Sequence, residues 1–171
     1  MDPENPVVKL CARGMEYESK GNFNEASTVF MAAWTQSTDD FERCVAAHYV
    51  ARHQKSQDEA LIWNQRSLDY ARSVGDDRVI GLFPSLYLNM GKSYEDLGRF
   101  DDARRFYAMT VEVLPTLPDN QYGKIIRDAV ERAQERFADG TLQATLRPLL
   151  TSATTSSTIV SQPSPLYRFL V

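Results

Sequence analysis

Residues 87–107, YLNMGKSYEDLGRFDDARRFY, decide the fold of this chain. Along this stretch aromatic residues, a small residue, a turn glycine and an alanine follow one another in a fixed order. They are Tyr87, Gly91, Tyr94, Gly98, Ala103 and Tyr107. The two small side chains, at 91 and 103, let two antiparallel helices approach closely, and the aromatic rings fill the space around that contact. The stretch therefore predicts two helices joined by a tight turn.

The same spacing occurs near the start of the chain. The matching residues there are Gly14, Tyr17, Gly21, Ala26 and Phe30. A further alanine, Ala60, lies 34 residues after the first alanine of the pattern and 43 residues before the last. The second interval is longer by about two and a half helical turns at roughly 3.6 residues per turn. We therefore expect three helix pairs, with extra helix between the second and the third.

This pattern resembles the tetratricopeptide repeat, a helix–turn–helix unit with apolar and small residues at fixed offsets. The resemblance covers residues 7–115 and is most specific for the first and third pairs. It implies an all-α solenoid of three such helix pairs, because one pair cannot bury its apolar face alone. The chain is most similar to the short, stand-alone members of this family found in bacteria.

A further amphipathic helix is predicted over residues 119–137, with Ile126, Val130, Ala133 and Phe137 on one stripe. A helix with a polar outer face at this place would cap the end of the stack. Residues 1–140 are thus expected to form one helical repeat domain. Residues 141–171 are rich in Ser and Thr, which predicts disorder and a tail dispensable for folding. Whether its apolar end, residues 166–171, docks on the groove stays open.

Several helix ends are marked by local signals. Asn5 followed by proline predicts the start of the first helix, and Asn24 is predicted to cap the second. The third helix is expected over residues 40–54, and Ser56 opens a capping box at the start of the fourth. Pro84 predicts a kink or a break near residue 83, because proline removes a backbone donor and clashes with the preceding turn.

Composition excludes several function classes. The net charge of −4 argues against a surface for nucleic acid or anionic membranes. No apolar run approaches the roughly 20 residues that span a bilayer, and the first residues lack a secretory signal, so a cytoplasmic protein is expected. Cys11 and Cys44 are expected as two buried thiols, with a disulfide as the alternative.

No pattern of catalytic residues is present in the sequence. It contains no phosphate loop, no nucleophile elbow and no carboxylate pair with a plausible partner, so we expect no enzyme and no cofactor. The two histidines, His48 and His53, are five residues apart on one predicted helix. They diverge by about 140° and are poorly placed to bind one metal ion.

The resemblance also implies a binding surface. In this family the first helix of each pair lines a concave groove that holds extended peptides. The residues predicted to form the peptide-binding groove are Tyr49, Arg52, His53, Leu88 and Lys92. The other positions carried over are Val8, Cys11, Met15, Glu18, Ser19, Glu42, Val45, Ser85, Glu95 and Asp96. An aromatic ring flanked by two cations suits an acidic group beside an apolar side chain.

The middle pair departs from the pattern. Its seam positions hold His48, Asn64 and Ser67, where the other pairs carry Gly, an aromatic residue and a small residue. A buried polar group without a partner costs about 1–3 kcal/mol. Either His48 and Asn64 bond each other, or the three residues form a polar pocket.

The predicted function is accordingly that of an adaptor or scaffold that binds a protein or peptide of unknown identity. Two alternatives remain open. The first is a regulatory sensor that binds a small molecule or a signalling peptide in the polar seam. The second is a helical oligomerisation module. The sequence leaves the oligomeric state unknown.

Overall fold

The computed structural model describes residues 2–138, and every regular element within that range is a helix. The α-helices are α1 (Pro6–Ser19), α2 (Phe23–Gln36), α3 (Asp40–Val50), α4 (Gln57–Val74), α5 (Phe83–Asp96), α6 (Phe100–Val113) and α7 (Gln121–Ala138). Short 3-10 helices span Ala51–His53, Asp77–Leu82 and Leu114–Thr116. The predicted all-α solenoid of three helix pairs plus a final helix is confirmed. The predictions for residues 141–171 lie outside the described residues.

The helix ends follow local chemistry, with one correction. Asn5 Oδ1 accepts two N–H groups of the first turn of α1, at 2.8 and 3.1 Å. Ser56 Oγ accepts an N–H of the first turn of α4 at 3.1 Å. The predicted cap Asn24 is wrong, because α2 already begins one residue earlier and Asn22 stands at the cap position. Gly21 adopts a left-handed conformation, with φ of 77°, and reverses the chain in a short turn. The second helix therefore begins before Asn24.

The middle of the chain holds the extra residues that the repeat spacing predicted. The third helix is shorter than expected, since α3 ends at Val50 and residues 51–53 form a 3-10 turn. The insertion is divided between α4, which has 18 residues where α2 and α6 have 14, and the 3-10 helix Asp77–Leu82. Pro84 lies in the first turn of α5. The predicted break near residue 83 is confirmed, because proline cannot continue an α-helix from the preceding segment.

In the first pair and in the third pair, the two helices of the pair approach each other closely. A Cβ on Gly14 would lie 2.1 Å from the ring of Phe30, and one on Gly91 would lie 2.6 Å from the ring of Tyr107. Ala103 is fully buried. The two glycines let the ring of one helix rest on the backbone of its partner, as the sequence pattern predicted, and Ala103 belongs to a buried core cluster.

The pairs stack in chain order and α7 closes the described end. Helix α2 packs on α3 and α4 packs on α5, so one core runs through the first five helices. A second core lies between α5, α6 and α7, where the predicted stripe residues Ile126, Val130 and Ala133 are buried. Glu95 ties the three helices together: it accepts the Tyr107 hydroxyl at 2.6 Å and two N–H groups of the Arg136 guanidinium at 2.9 and 3.0 Å.

Candidate functional site

A cavity of about 240 Å³ lies between α3 and α5, the first helices of the second and third pairs. Helix α7 reaches it from the next layer. The lining residues are Cys44, Val45, His48 and Tyr49 of α3, Gly81 and Leu82 of the 3-10 helix, Ser85 and Leu86 of α5, and Tyr122 of α7.

The walls of this cavity are positioned by helix geometry. The four residues of α3 are spaced one and four apart, which places them on one face of the helix. The break ahead of Pro84 brings Gly81 and Leu82 to the rim before α5 begins. Tyr122, in the first turn of α7, donates its hydroxyl to the Gly81 carbonyl at 3.2 Å. The capping helix is thus bonded to the rim of the cavity.

His48 is a neutral, half-buried side chain in the wall. Burial lowers the pKa of His48 to about 3, and the nearby positive charge of Arg52 lowers it further. The Asn89 side-chain amide donates to His48 Nδ1 at 3.2 Å. The proton of the neutral ring therefore sits on Nε2.

The other titratable lining groups are also neutral near pH 7. Burial raises the pKa of the Cys44 thiol to about 11 and that of the Tyr49 hydroxyl to about 12. Burial likewise raises the pKa of Tyr122. Ser85 donates its hydroxyl to the Leu82 carbonyl at 2.9 Å. The lining therefore combines apolar surface with uncharged polar tips.

Two predicted groove residues are engaged with a carboxylate from the first pair. Glu18, with a side chain only 4% exposed, accepts from Arg52 at 3.1 Å and contacts His53 Nε2 at 2.5 Å. The Arg52 side chain is 10% exposed and its guanidinium also lies over the Tyr49 ring, 5.9 Å from the centroid. The cluster fixes α1 to the 3-10 turn that follows α3. A role for Arg52 as a ligand anchor stays a prediction, and it requires this ion pair to open.

The two predicted groove residues on α5 differ in accessibility. Leu88 is only 4% exposed and packs in the core shared with α6 and α7. Lys92 is partly exposed and forms an ion pair with Asp96 one turn later on the same helix. Of the five residues predicted to form the groove, Tyr49 lines the cavity and the other four lie outside its wall. Of the other groove positions carried over, Val45 and Ser85 also line it.

The three polar seam residues of the middle pair have separate partners. His48 bonds Asn89, Asn64 donates its amide to Ser93 Oγ at 2.9 Å, and Ser67 donates to a backbone carbonyl of α3 at 2.8 Å. Only His48 of the three lines the cavity. Within residues 2–138, the buried Asn64 Oδ1 has no hydrogen-bond partner. His48 and Asn64 therefore do not bond each other, and the three residues do not share one pocket.

Sequence reasoning missed the parts of the cavity that come from distant segments. Tyr122 and Gly81 are 41 residues apart, and nothing in the repeat pattern pairs them. The break predicted ahead of Pro84 was the one local signal that the rim of a groove could form there. Glu18 was assigned a groove position, but its partners 34 and 35 residues later were not predicted.

The described residues hold no further cluster with the groups that a metal site needs. Cys11 and Cys44 are both buried, free thiols, as expected. Burial raises the pKa of Cys11 to about 12, which makes it a poor nucleophile. Among residues 2–138 no group of three or more His, Cys, Asp or Glu side chains is arranged to hold a metal ion. None of the described helices is long and apolar enough to cross a membrane.

Comparison with known proteins supports the repeat pattern. The family model for the tetratricopeptide repeat matches residues 10–35 and 84–108. These ranges contain the Gly14–Phe30 and Gly91–Tyr107 contacts of the first and third helix pairs. No curated protein and no solved structure matches the chain significantly.

Proposed function

We propose that this chain, as a tetratricopeptide repeat protein, is a non-catalytic adaptor. In this proposal it binds an extended peptide along the first helix of each helix pair. Repeats of this family are generally protein-interaction modules, which supports the broad assignment. The observation that carries the proposal is the cavity on α3 and α5. Concave sites with mostly apolar walls and a few polar groups are where proteins bind ligands.

The proposed path of the peptide runs over the second and third pairs. Tyr49 offers apolar area with a polar tip beside the cavity, and Lys92 offers a partly exposed cation on the neighbouring first helix. Arg52 and His53 support this surface by bonding Glu18 of α1. The proposed ligand segment is therefore apolar where it meets the cavity and carries an acidic group near Lys92.

A random dodecapeptide library displayed on phage and selected against the full chain tests the proposal. We expect enriched peptides whose binding shifts backbone amide signals of α1, α3 and α5 in an NMR titration. Lys92→Ala should weaken them several-fold, and less at high salt, because the contact is partly exposed. Lys55→Ala, which removes the same charge from the exposed loop before α4, is the matched control. Shifts confined to α2, α4 and α6 would contradict the groove assignment.

A second candidate function rests on the same cavity. A regulatory sensor for a small uncharged molecule would also use a recess with neutral walls, half-enclosed by Tyr122. The oligomerisation alternative gains less support from the surface. Within residues 2–138, the exposed large hydrophobic side chains are Met15, Met31, Ile62, Ile80 and Val111, which lie on five different elements.

A further inference from the structure

The size of the cavity limits what can enter it. Pockets for drug-sized ligands measure about 300–1,000 Å³, whereas an apolar cavity of about 150 Å³ already holds a benzene ring. At about 240 Å³, the cavity between α3 and α5 fits one large side chain. It is too small for a folded segment or a large cofactor.

The charge of the walls limits the chemistry of that side chain. None of the lining residues is Asp, Glu, Lys or Arg. The Arg52 guanidinium, whose charge acts on the lining residues His48 and Tyr49, is paired with the Glu18 carboxylate, so the two charges largely cancel. An ionised ligand group would lose its hydration here without a counter-charge, which is costly. The cavity therefore favours an uncharged group.

Hydrogen-bonding groups in the wall set the orientation of the occupant. Tyr122 and Ser85 already donate to backbone carbonyls of the rim. Asn89 occupies Nδ1 of His48, which leaves the Nε2–H as a donor. Among residues 2–138, Asn64 Oδ1 is the buried side-chain atom without a hydrogen-bond partner, so neither His48 Nε2 nor the Tyr49 hydroxyl is buried unsatisfied in the wall. A ligand acceptor, such as a peptide carbonyl, can bond the Nε2–H from the cavity side.

We infer that this cavity is the anchor pocket for one uncharged aromatic or branched aliphatic side chain of a bound peptide, with His48 Nε2–H donating to a peptide carbonyl beside it. The inference rests on the proposed function and names the ligand class that the groove selects. A peptide fits better than a free molecule because the pocket holds one side chain and opens between two first helices, where the chain on either side of the anchor can lie.

Gly81→Phe provides the test, because a Cβ on Gly81 meets nothing within 4 Å and the added ring enters open space at the rim. Ile80→Phe adds a ring to the exposed neighbour outside the wall and is the matched control. His48→Phe keeps a ring of similar shape and removes the donor. All three are made in the full chain, checked for folding by circular dichroism, and titrated with peptides selected on the wild type.

The expected result is that selected peptides share one uncharged apolar position. Their affinity should fall at least tenfold on Gly81→Phe, roughly two- to tenfold on His48→Phe, the range of one neutral hydrogen bond, and stay unchanged on Ile80→Phe. Replacing the shared residue by Asp should weaken binding more than replacing it by Ala. If Gly81→Phe does not fold, the inference is tested by the His48→Phe titration and by the peptides in which the shared residue is replaced by Asp or Ala.

Two results would overturn the inference in distinguishable ways. Peptides that bind all variants equally would reject the anchor pocket and leave the groove function standing. If no peptide is enriched, yet N-acetyl-leucinamide or N-acetyl-phenylalaninamide binds the wild type and not Gly81→Phe, both the groove function and the peptide anchor are rejected. The cavity would then belong to a small-molecule sensor.

Discussion

Gly14→Ala is expected to destabilise the chain at the closest approach of α1 and α2. The new Cβ would lie 2.1 Å from Phe30 Cε1, and 2.6 and 2.7 Å from two further ring carbons. Phe30 has no exposed surface, and its ring stacks on Tyr49 at 5.1 Å and on His53 at 5.6 Å. The ring cannot yield without moving two packed neighbours. The helices must therefore separate.

The magnitude follows from two opposing effects. Overpacking a tight contact costs about 1–3 kcal/mol, and a gap of 2.1 Å, far below the roughly 3.5 Å optimum for carbon atoms, places the cost at the upper end. Replacing Gly by Ala within a helix stabilises the helix by about 1 kcal/mol, which offsets part of this cost. The net loss in free energy of unfolding should be about 2 kcal/mol. For a chain of this size that lowers Tm by about 4–8 °C.

Urea unfolding followed by far-UV circular dichroism measures this loss. Gly81→Ala is the control, since the same substitution there meets nothing within 4 Å and should leave stability unchanged or slightly raised. Adding Phe30→Leu makes room for the methyl group, so the double variant should lose less than the sum of the single losses. Equal stability of Gly14→Ala and Gly81→Ala would refute the close packing of α1 on α2.

Three further expectations concern the seam, the ion pair and pH. Ala103→Leu should cost about 1–3 kcal/mol by overpacking, whereas Arg104→Leu on the more open side of α6 should change Tm little; equal shifts would contradict the repeat register. Glu18→Gln should cost about 3 kcal/mol in urea unfolding, because it leaves the buried Arg52 without its carboxylate; a loss below about 0.5 kcal/mol would show the cluster to be dispensable. Burial holds the pKa of His48 at about 3 when folded, against about 6.5 when unfolded, so falling pH favours the unfolded chain. Between about pH 7 and pH 5 the wild type should lose up to roughly 2 kcal/mol more than His48→Phe in urea unfolding, and parallel losses would contradict a neutral His48.

The features predicted correctly from the sequence depend on neighbours within one helix pair. The cap at Asn5, the turn glycines and the contact of Gly91 with Tyr107 each join residues at most about one repeat apart. Such contacts are set by helix geometry and by side-chain size, and both can be read from the residue types and their spacing in the sequence. The one misplaced cap, at Asn24, shows the limit of this reasoning, because a left-handed glycine can end a turn before the expected polar residue.

The sequence by itself therefore determined the repeat, the stacking of three pairs and the last helix. The cavity was decided by the tertiary structure. Its wall joins α3 to Gly81 and to Tyr122 of α7, and the charge of its neighbour Arg52 is matched by Glu18 from another pair. Such contacts depend on the angle and the distance between helices, which result from packing along the whole stack and are encoded in no single repeat.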